Sequence, residues 1–258
     1  MTHAIIALWC HPRSMSTAME RIMHERGDLE CEHEPFMYDF YLHRQVREMP
    51  YFEPDPARFL DYQSIREHLL LRAETTPIFF KDMSYYVVPQ IFSDSAFSSR
   101  LKNIFLIRDP HRTIPSYFKL DPDLTCEEVG LEAQYRHVQW LIDNTGESPL
   151  VLEAEHVQST PQQSLDSLWE YTGLTPKNNV LEWSEQPPEQ WKEVETWHAE
   201  AIRSPGIRRP SSSDSSEVFN EVELKRPVLR EFLNHHLPFY EKLKGIASAQ
   251  RLQASVEK

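Results

Sequence analysis

Long apolar runs, paired cysteines and excess positive charge are all missing from this sequence of 258 residues. No apolar run approaches the roughly 18 residues of a membrane span, so we expect no membrane contact and no secretory leader. Cys10, Cys31 and Cys126 form no Cys-x-x-Cys pair, which favours reduced thiols in a cytoplasmic protein. The net charge of −13 argues against nucleic-acid binding, so any phosphate ligand must be held by a local site.

A candidate for such a site lies in residues 4–19, AIIALWCHPRSMSTAM. The first six residues are apolar, which suits a short buried parallel strand, and apolar residues at helical spacing follow later. Between them lies a turn with a cation and three hydroxyl side chains, here called the polar turn: Pro12, Arg13, Ser14, Met15, Ser16 and Thr17. The free N–H groups and the positive dipole end of a helix start attract anions, so the polar turn predicts a phosphate or sulfate cradle.

The polar turn lacks the GxxxxGK[ST] signature of ATP-binding phosphate loops. It has no lysine, and Met15 stands where that signature would have glycine. At this position the backbone must either avoid positive φ or accept strain. A phosphate-loop nucleotide kinase or hydrolase is therefore a disfavoured alternative.

Strand and helix patterns alternate through the first two thirds of the chain. Further strands are predicted at residues 29–34, 77–82, 103–107 and 150–152. This alternation predicts an α/β three-layer sandwich with a central parallel sheet of about five strands and helices on both faces. The length suits one domain over residues 1–258.

Polar residues follow several predicted strands, at the sheet edge where α/β proteins bind ligands. Glu34 precedes Pro35 at the end of the second strand, Lys81 lies at the end of the third, and Arg108 follows the fourth. Residues 183–217 have weak periodicity and several aromatics, which predicts a long lid, and residues 218–258 predict C-terminal helices.

These motifs resemble the sulfotransferases that use 3′-phosphoadenosine 5′-phosphosulfate (PAPS). PRSMST looks like their 5′-phosphosulfate loop, and LIRDPHRTIPSYF looks like their 3′-phosphate element, with Arg108 and Ser116 at the matching positions. HEPFMYDF and KDMSYY are similar to the segments that carry a base and a third-strand lysine, which map onto Glu34 and Lys81. WKEVETWHAEAIRSPGI looks like the closing loop of bacterial and plant members.

The resemblance implies a P-loop NTPase-like fold and transfer of a sulfuryl group from PAPS to a hydroxyl or amine of a small molecule, with release of 3′,5′-adenosine bisphosphate (PAP). Arg13 and Lys81 would steady the sulfuryl oxygens, while Glu34 would accept the proton, with His33 as the rival base. No metal is required. The nucleotide would be held by the polar turn, and further nucleotide contacts are expected from Arg108, Ser116, Ser204, Gly206 and Arg208. The acceptor would contact His33, Tyr38, Trp197 and His198.

Two departures from the family keep another alternative open. Met15 replaces the usual glycine, and no histidine closely follows Lys81 as one does in cytosolic members. A non-catalytic relative that binds PAP or PAPS would tolerate both changes. The sequence does not decide the oligomeric state, and a homodimer is compatible with it.

Overall fold

The computed structural model describes residues 2–88, 90–177, 179–183, 186–207 and 215–256. These residues form one five-stranded sheet with strand order β2-β3-β1-β4-β5, in which every pairing is parallel. The strands are β1 (Ile5–Cys10), β2 (Glu30–His33), β3 (Ile78–Met83), β4 (Leu101–Ile107) and β5 (Leu150–Glu153). The predicted parallel α/β sheet is confirmed.

Helices connect and surround these strands. Within the described ranges the α-helices are α1 (Ser16–Arg26), α2 (Tyr62–Arg72), α3 (Ser84–Val87), α4 (Ser95–Ser98), α5 (Pro110–Phe118), α6 (Leu131–Thr145), α7 (Ala154–Ser159), α8 (Pro161–Thr172), α9 (Glu195–Ile202), α10 (Ser215–Glu223) and α11 (Leu229–Val256). Shorter 3-10 segments occupy Gln90–Ser93, Glu127–Val129 and Glu189–Val194, and a π-helical turn occupies Asp39–His43.

The apolar run of β1 forms the centre of the core. Every residue of β1 is buried, because β3 and β4 flank it in the sheet and helices cover both faces. The register pairs Cys10 with Met83 and Trp9 with Phe105, so β1, β3 and β4 end side by side. The residues that follow these strands therefore meet at one edge of the sheet.

The start of α5 at this edge and the C-terminal end of α1 agree with their local sequence. Asp109 caps α5 by accepting a hydrogen bond from the His111 N–H, and Pro110 occupies the first turn, where its missing N–H has no cost. Gly27 ends α1 at φ 66°, a conformation that glycine adopts readily.

The prediction of one long irregular lid over residues 183–217 is wrong in part. The 3-10 segment Glu189–Val194 and helix α9 lie inside it. Their buried apolar residues recur at Trp191, Val194 and Trp197, a three-residue spacing that indicates helix. Residues 208–214, which include the predicted site residue Arg208, lie outside the described part of the chain.

The predicted C-terminal helices are present as α10 and α11. Among the described residues, no helix has both the length and the apolar character that crossing a bilayer requires.

Candidate functional site

A cavity of about 350 Å³ opens at the edge where β1, β3 and β4 end. Most of the predicted site residues line it, together with aromatic and methionine side chains. The lining includes Pro12, Arg13, Met15, Ser16, Thr17, Glu34, Tyr41, Met49, Lys81, Met83, Tyr85, Tyr86, Arg108, Ser116, Tyr117, Trp197, His198, Ser204 and Gly206. Residues far apart in the chain thus line a single pocket with charged and aromatic side chains.

Every residue of the polar turn except the buried Ser14 lines this cavity, and the turn has an unusual backbone. Arg13 and Met15 have φ values of 64° and 74°, in the left-handed region. The sequence left two options for Met15, and the structure adopts the strained one. Met15 is also the N-cap of α1 and supplies no side-chain cap, while the buried Oγ of Ser14 has no hydrogen-bonding partner. Both features leave donors in the turn uncommitted.

The two predicted phosphate elements contact each other directly. Arg108 Nη1 donates to the backbone oxygen of Arg13 at 2.9 Å, and Arg13 Nε donates to Ser116 Oγ at 2.8 Å. His11 joins them further, because its Nε2 accepts the backbone N–H of Arg108 at 3.0 Å. The polar turn and the start of α5 are therefore one unit.

The two guanidinium groups occupy a low-dielectric environment. Burial lowers the pKa of Arg13; Glu200 opposes this effect, and the charge of Arg108 adds to it. Burial likewise lowers the pKa of Arg108, against the opposing carboxylate of Glu155. Arg108 Nε is buried without a hydrogen bond and lies 3.9 Å from Glu155 Oε1. Two partly buried cations, one of which has an Nε without a hydrogen bond, form a site that favours an anion.

A buried ion pair is also among the residues that line the cavity. Lys81 Nζ contacts Glu34 Oε1, and it lies 3.8 Å from Glu20 Oε2. Burial alone would lower the pKa of Lys81, but these two carboxylates outweigh it and raise the pKa above its ordinary value. The ammonium group is therefore charged at neutral pH and faces the cavity.

Asp82 holds the turn that carries Glu34. Glu34 has φ 37°, and the next turn is fixed by the Phe36 N–H, which donates to Asp82 Oδ2 at 2.7 Å. Burial, reinforced by the charge of Glu34, raises the pKa of the Asp82 carboxyl well above its usual range. Asp82 thus acts on the site through the backbone.

A chain of buried side chains, here called the histidine chain, leads inward from the cavity. Thr17 Oγ1 lies 3.1 Å from His198 Nδ1, and His198 Nε2 lies 3.1 Å from His33 Nε2. His33 Nδ1 lies 2.9 Å from Glu20 Oε2. Sequence reasoning did not identify Glu20, although its position one helical turn after Thr17 places both on one face of α1.

Helix α9 closes the cavity through contacts with the polar turn. Arg13 Nη1 donates to the backbone oxygen of Trp197 at 2.8 Å, and the Trp197 ring packs edge-on against Tyr117. Ser204 and Gly206 line the same side. A side chain at Gly206 would meet the Leu181 carbonyl oxygen at 2.7 Å, so this close approach requires glycine.

Two predicted acceptor-binding residues lie behind the cavity wall. The Tyr38 hydroxyl donates to Glu193 at 2.7 Å and accepts the Asp55 N–H at 2.8 Å, which ties two loops together. His33 is fully buried behind His198. Trp197 and His198, in contrast, line the cavity itself.

Two groups of side chains have the spacing of metal ligands. The first group is His33, Glu34 and His198. The Glu34 carboxylate oxygen of this group already contacts the ammonium group of Lys81.

The second group is Cys126, His235 and His236. Both ring nitrogens of His236 are engaged, Nε2 with the Cys126 carbonyl oxygen and Nδ1 with the Glu132 N–H. The absence of a metal stays a prediction.

Comparisons with known proteins identify relatives over most of the chain. The family model described as "Sulfotransferase domain" matches residues 4–247. Branched-chain-amino-acid aminotransferase-like protein 2 of Arabidopsis thaliana is 24% identical over 209 residues, which cover 80% of this chain and 36% of that protein. The corresponding protein 1 is 23% identical over 244 residues, covering 93% of this chain and 42% of the relative. The chain therefore spans less than half the length of these curated relatives.

The fold has a counterpart among solved structures. The sulfotransferase domain from the curacin biosynthetic pathway superimposes with a TM-score of 0.50 at 14% identity, covering 86% of this chain and 98% of that domain. Its similarity supports the assignment of the fold.

Proposed function

Because the chain belongs to the family of sulfotransferase domains, we propose that it transfers a sulfuryl group from PAPS to a hydroxyl or amine of a small molecule. The observation that carries this proposal is the contact between Arg108 and the Arg13 carbonyl oxygen, which places both basic elements on one cavity. The aminotransferase activity in the names of the plant relatives is not part of this proposal, because this chain matches less than half of each relative.

The side chains present fit the nucleotide that this function requires. The uncapped start of α1 suits the 5′-phosphate, and Ser16 and Thr17 line the cavity beside it. Arg108 and Ser116 suit the 3′-phosphate, and Ser204 and Gly206 line the same cavity. Each charge-assisted hydrogen bond of this kind contributes about 1.5–3 kcal/mol.

Lys81 and Arg13 suit the part of the donor where charge develops. Bound PAPS supplies the activated sulfuryl group, and transfer needs positioning and charge neutralisation more than covalent help from the protein. Glu34 keeps Lys81 in its cationic form. Hydrogen bonds to Ser116 and to the Trp197 backbone oxygen hold the Arg13 side chain in position. Neither role requires a metal ion.

The aromatic and methionine side chains of the cavity indicate the class of acceptor. Tyr41, Tyr85, Tyr86, Tyr117 and Trp197 line the cavity with Met49 and Met83. Such a surface favours a small, partly apolar molecule that carries one hydroxyl or amine. Glu34 and His198 line the same cavity and are the candidates for taking the acceptor's proton.

Equilibrium binding of PAP tests the proposal. We expect Arg13→Ala and Arg108→Ala each to weaken PAP binding by about 10- to 100-fold, since each removes a charged partner of a phosphate. Arg136→Ala serves as the matched control because Arg136 is exposed on α6 and should leave the affinity unchanged. Equal affinities of all three variants and the unchanged protein would refute the assignment.

Turnover of PAPS with a panel of small alcohols, phenols and amines separates the alternatives. Release of PAP with sulfation of an acceptor supports the proposal. Binding without transfer would indicate a non-catalytic relative, and magnesium-dependent turnover of ATP would indicate a kinase or hydrolase.

A further inference from the structure

Helix α9 brings a carboxylate to the cavity. Glu200 lies in the last turn of α9 and is one of the residues that line the cavity, although its side chain is 75% exposed. Its Oε2 accepts a hydrogen bond from Arg13 Nη2 at 3.3 Å. Arg13, a cation that the proposed function assigns to the donor, is therefore already paired with an anion of the protein itself.

Two other contacts already orient the Arg13 side chain. Arg13 Nε donates to Ser116 Oγ and Arg13 Nη1 donates to the Trp197 backbone oxygen, both at 2.8 Å. Because the guanidinium group is planar and rigid, these two bonds fix its direction. The bond to Glu200 is the longest of the three, and it exceeds the roughly 2.7–2.9 Å of a strong charge-assisted bond.

The position of Glu200 on α9 is unfavourable for the helix dipole. The C-terminal end of a helix carries a partial negative charge, which favours cations and disfavours carboxylates in the last turn. An ion pair with so exposed a carboxylate also contributes little to folding, because water and salt screen it. The helix dipole and this ion pair therefore supply little stability at position 200.

The negative charge of Glu200 acts on both basic elements of the cavity. Burial lowers the pKa of Arg13 and of Arg108, and Glu200 is among the charges that oppose this effect at each of them. A bound phosphate would neutralise the same two cations. Since the carboxylate and a phosphate carry charge of the same sign, they repel each other when both are near Arg13.

We propose, resting on the function above, that Glu200 holds the place of the nucleotide's anionic 5′ end in the unliganded cavity. When PAP or PAPS binds, its 5′ end takes the Arg13 Nη2 donor, and the exposed Glu200 carboxylate turns into the water. Because this exchange breaks an ion pair, Glu200 weakens the affinity for both nucleotides. Glu200 thereby eases the release of the product PAP.

The competing interpretation is that Glu200 positions Arg13 for the nucleotide. The two interpretations predict opposite signs, because loss of a displaced carboxylate strengthens nucleotide binding and loss of a positioning carboxylate weakens it. The two shorter bonds of Arg13, to Ser116 and to Trp197, favour displacement.

Equilibrium binding of PAP to Glu200→Gln determines this sign. We expect PAP to bind about 3- to 10-fold more tightly, which is the scale of one exposed ion pair together with one like-charge repulsion. Glu200→Ala should change the affinity in the same direction, since both variants remove the charge. The gain should shrink towards no change at about 1 M salt, where the screening length is about 3 Å.

Nucleotides with a single phosphate locate the effect. 5′-AMP carries the phosphate that would replace Glu200 at Arg13, so its binding should strengthen as much as that of PAP. Binding of 3′-AMP should strengthen less, because Glu200 contacts the arginine of the polar turn. Glu195→Gln is the matched control and should leave all three affinities unchanged, since Glu195 is exposed at the opposite end of the same helix.

Unchanged or weaker PAP binding in both Glu200 variants would overturn the inference. An equal gain in Glu195→Gln would do the same, because the effect would then come from net charge alone, and so would a gain for 3′-AMP as large as that for 5′-AMP. The proposed function is judged separately, by the loss of PAP binding in Arg13→Ala and Arg108→Ala, and it stands if only the Glu200 results fail.

Discussion

Arg108 Nη1 donates a hydrogen bond to the backbone carbonyl oxygen of Arg13 across 2.9 Å, although 95 positions separate the two residues in the chain. The bond places the ends of β1 and β4 in one unit. It also presents two cations to one cavity, which is the arrangement that a ligand with two phosphates requires.

Met15 provides a test of backbone strain in the polar turn. Its φ of 74° costs about 1–2 kcal/mol for a residue with a side chain, whereas glycine adopts it freely. We expect Met15→Gly to be more stable than Met15→Ala by about 1 kcal/mol, the reverse of their order in a helix interior. Urea unfolding of the two variants measures this difference, and equal or inverted stabilities would contradict it.

Gly130 has both a strained backbone and a close neighbour. Its φ is 81°, and a Cβ there would meet His11 Cβ at 2.8 Å. We expect Gly130→Ala to lower the free energy of unfolding by about 2–4 kcal/mol, as strain and overpacking combine. Since His11 holds the Arg108 backbone, PAP binding should weaken as well.

Gly27→Ala is the matched control for this substitution. Gly27 has a similar φ of 66°, but a side chain there would meet nothing within 4 Å. It should lose only about 1 kcal/mol, which is the cost of the backbone conformation, and PAP binding should stay the same. Equal losses for Gly27→Ala and Gly130→Ala would show that the contact with His11 is unimportant.

The burial of His137 predicts that the free energy of unfolding decreases in acid. Burial lowers its pKa to about 3, so the folded protein keeps it neutral while the unfolded chain takes up a proton below about pH 6.5. The unfolded state then binds more protons, and stability falls by about 1.4 kcal/mol per pH unit between pH 6.5 and 3.

Replacement of His137 by phenylalanine isolates this contribution. The ring packs against Trp9, Phe92 and Phe105, and neither of its nitrogens has a partner among the described residues. In His137→Phe we expect the free energy of unfolding to fall less steeply with decreasing pH below about pH 6.5. The slope should differ from that of the unchanged protein by the equivalent of about one bound proton, with no difference at about pH 8. Parallel curves for both proteins down to pH 4 would disprove it.

The pair of Lys81 and Glu34 predicts a large effect on stability. Lys81→Met leaves two carboxylates, Glu34 and Glu20, without their buried cation, which should cost about 3–5 kcal/mol. Adding Glu34→Gln should restore part of the loss, because one of these charges is then gone. Lys192→Met, at an exposed ion pair with Glu189, should leave the denaturation midpoint unchanged.

The fold could be predicted because its signals are local. The buried run of β1, the alternation of strands and helices and the cap of α5 are all readable along the chain. The irregular lid was the main error, since the periodicity in Glu189–Val194 and α9 covers too few residues to separate helix from loop.

The site was predictable only in part. Strand ends located Arg13, Lys81 and Arg108, which line the cavity. Glu20 was missed because a glutamate within a helix is ordinarily solvent-exposed, and only tertiary packing buries it against His33. Tyr38 was expected to contact the acceptor, and its hydroxyl instead connects two loops.

The position of β1 in the sheet has a consequence for synthesis on the ribosome. Both of its partners are translated later, since Ile5 pairs with Ile78 and with Leu101. About 70 residues must therefore be made before this apolar strand gains its first neighbour. A nascent chain arrested before β3 would expose both edges of β1, and such chains should depend on chaperones to avoid aggregation.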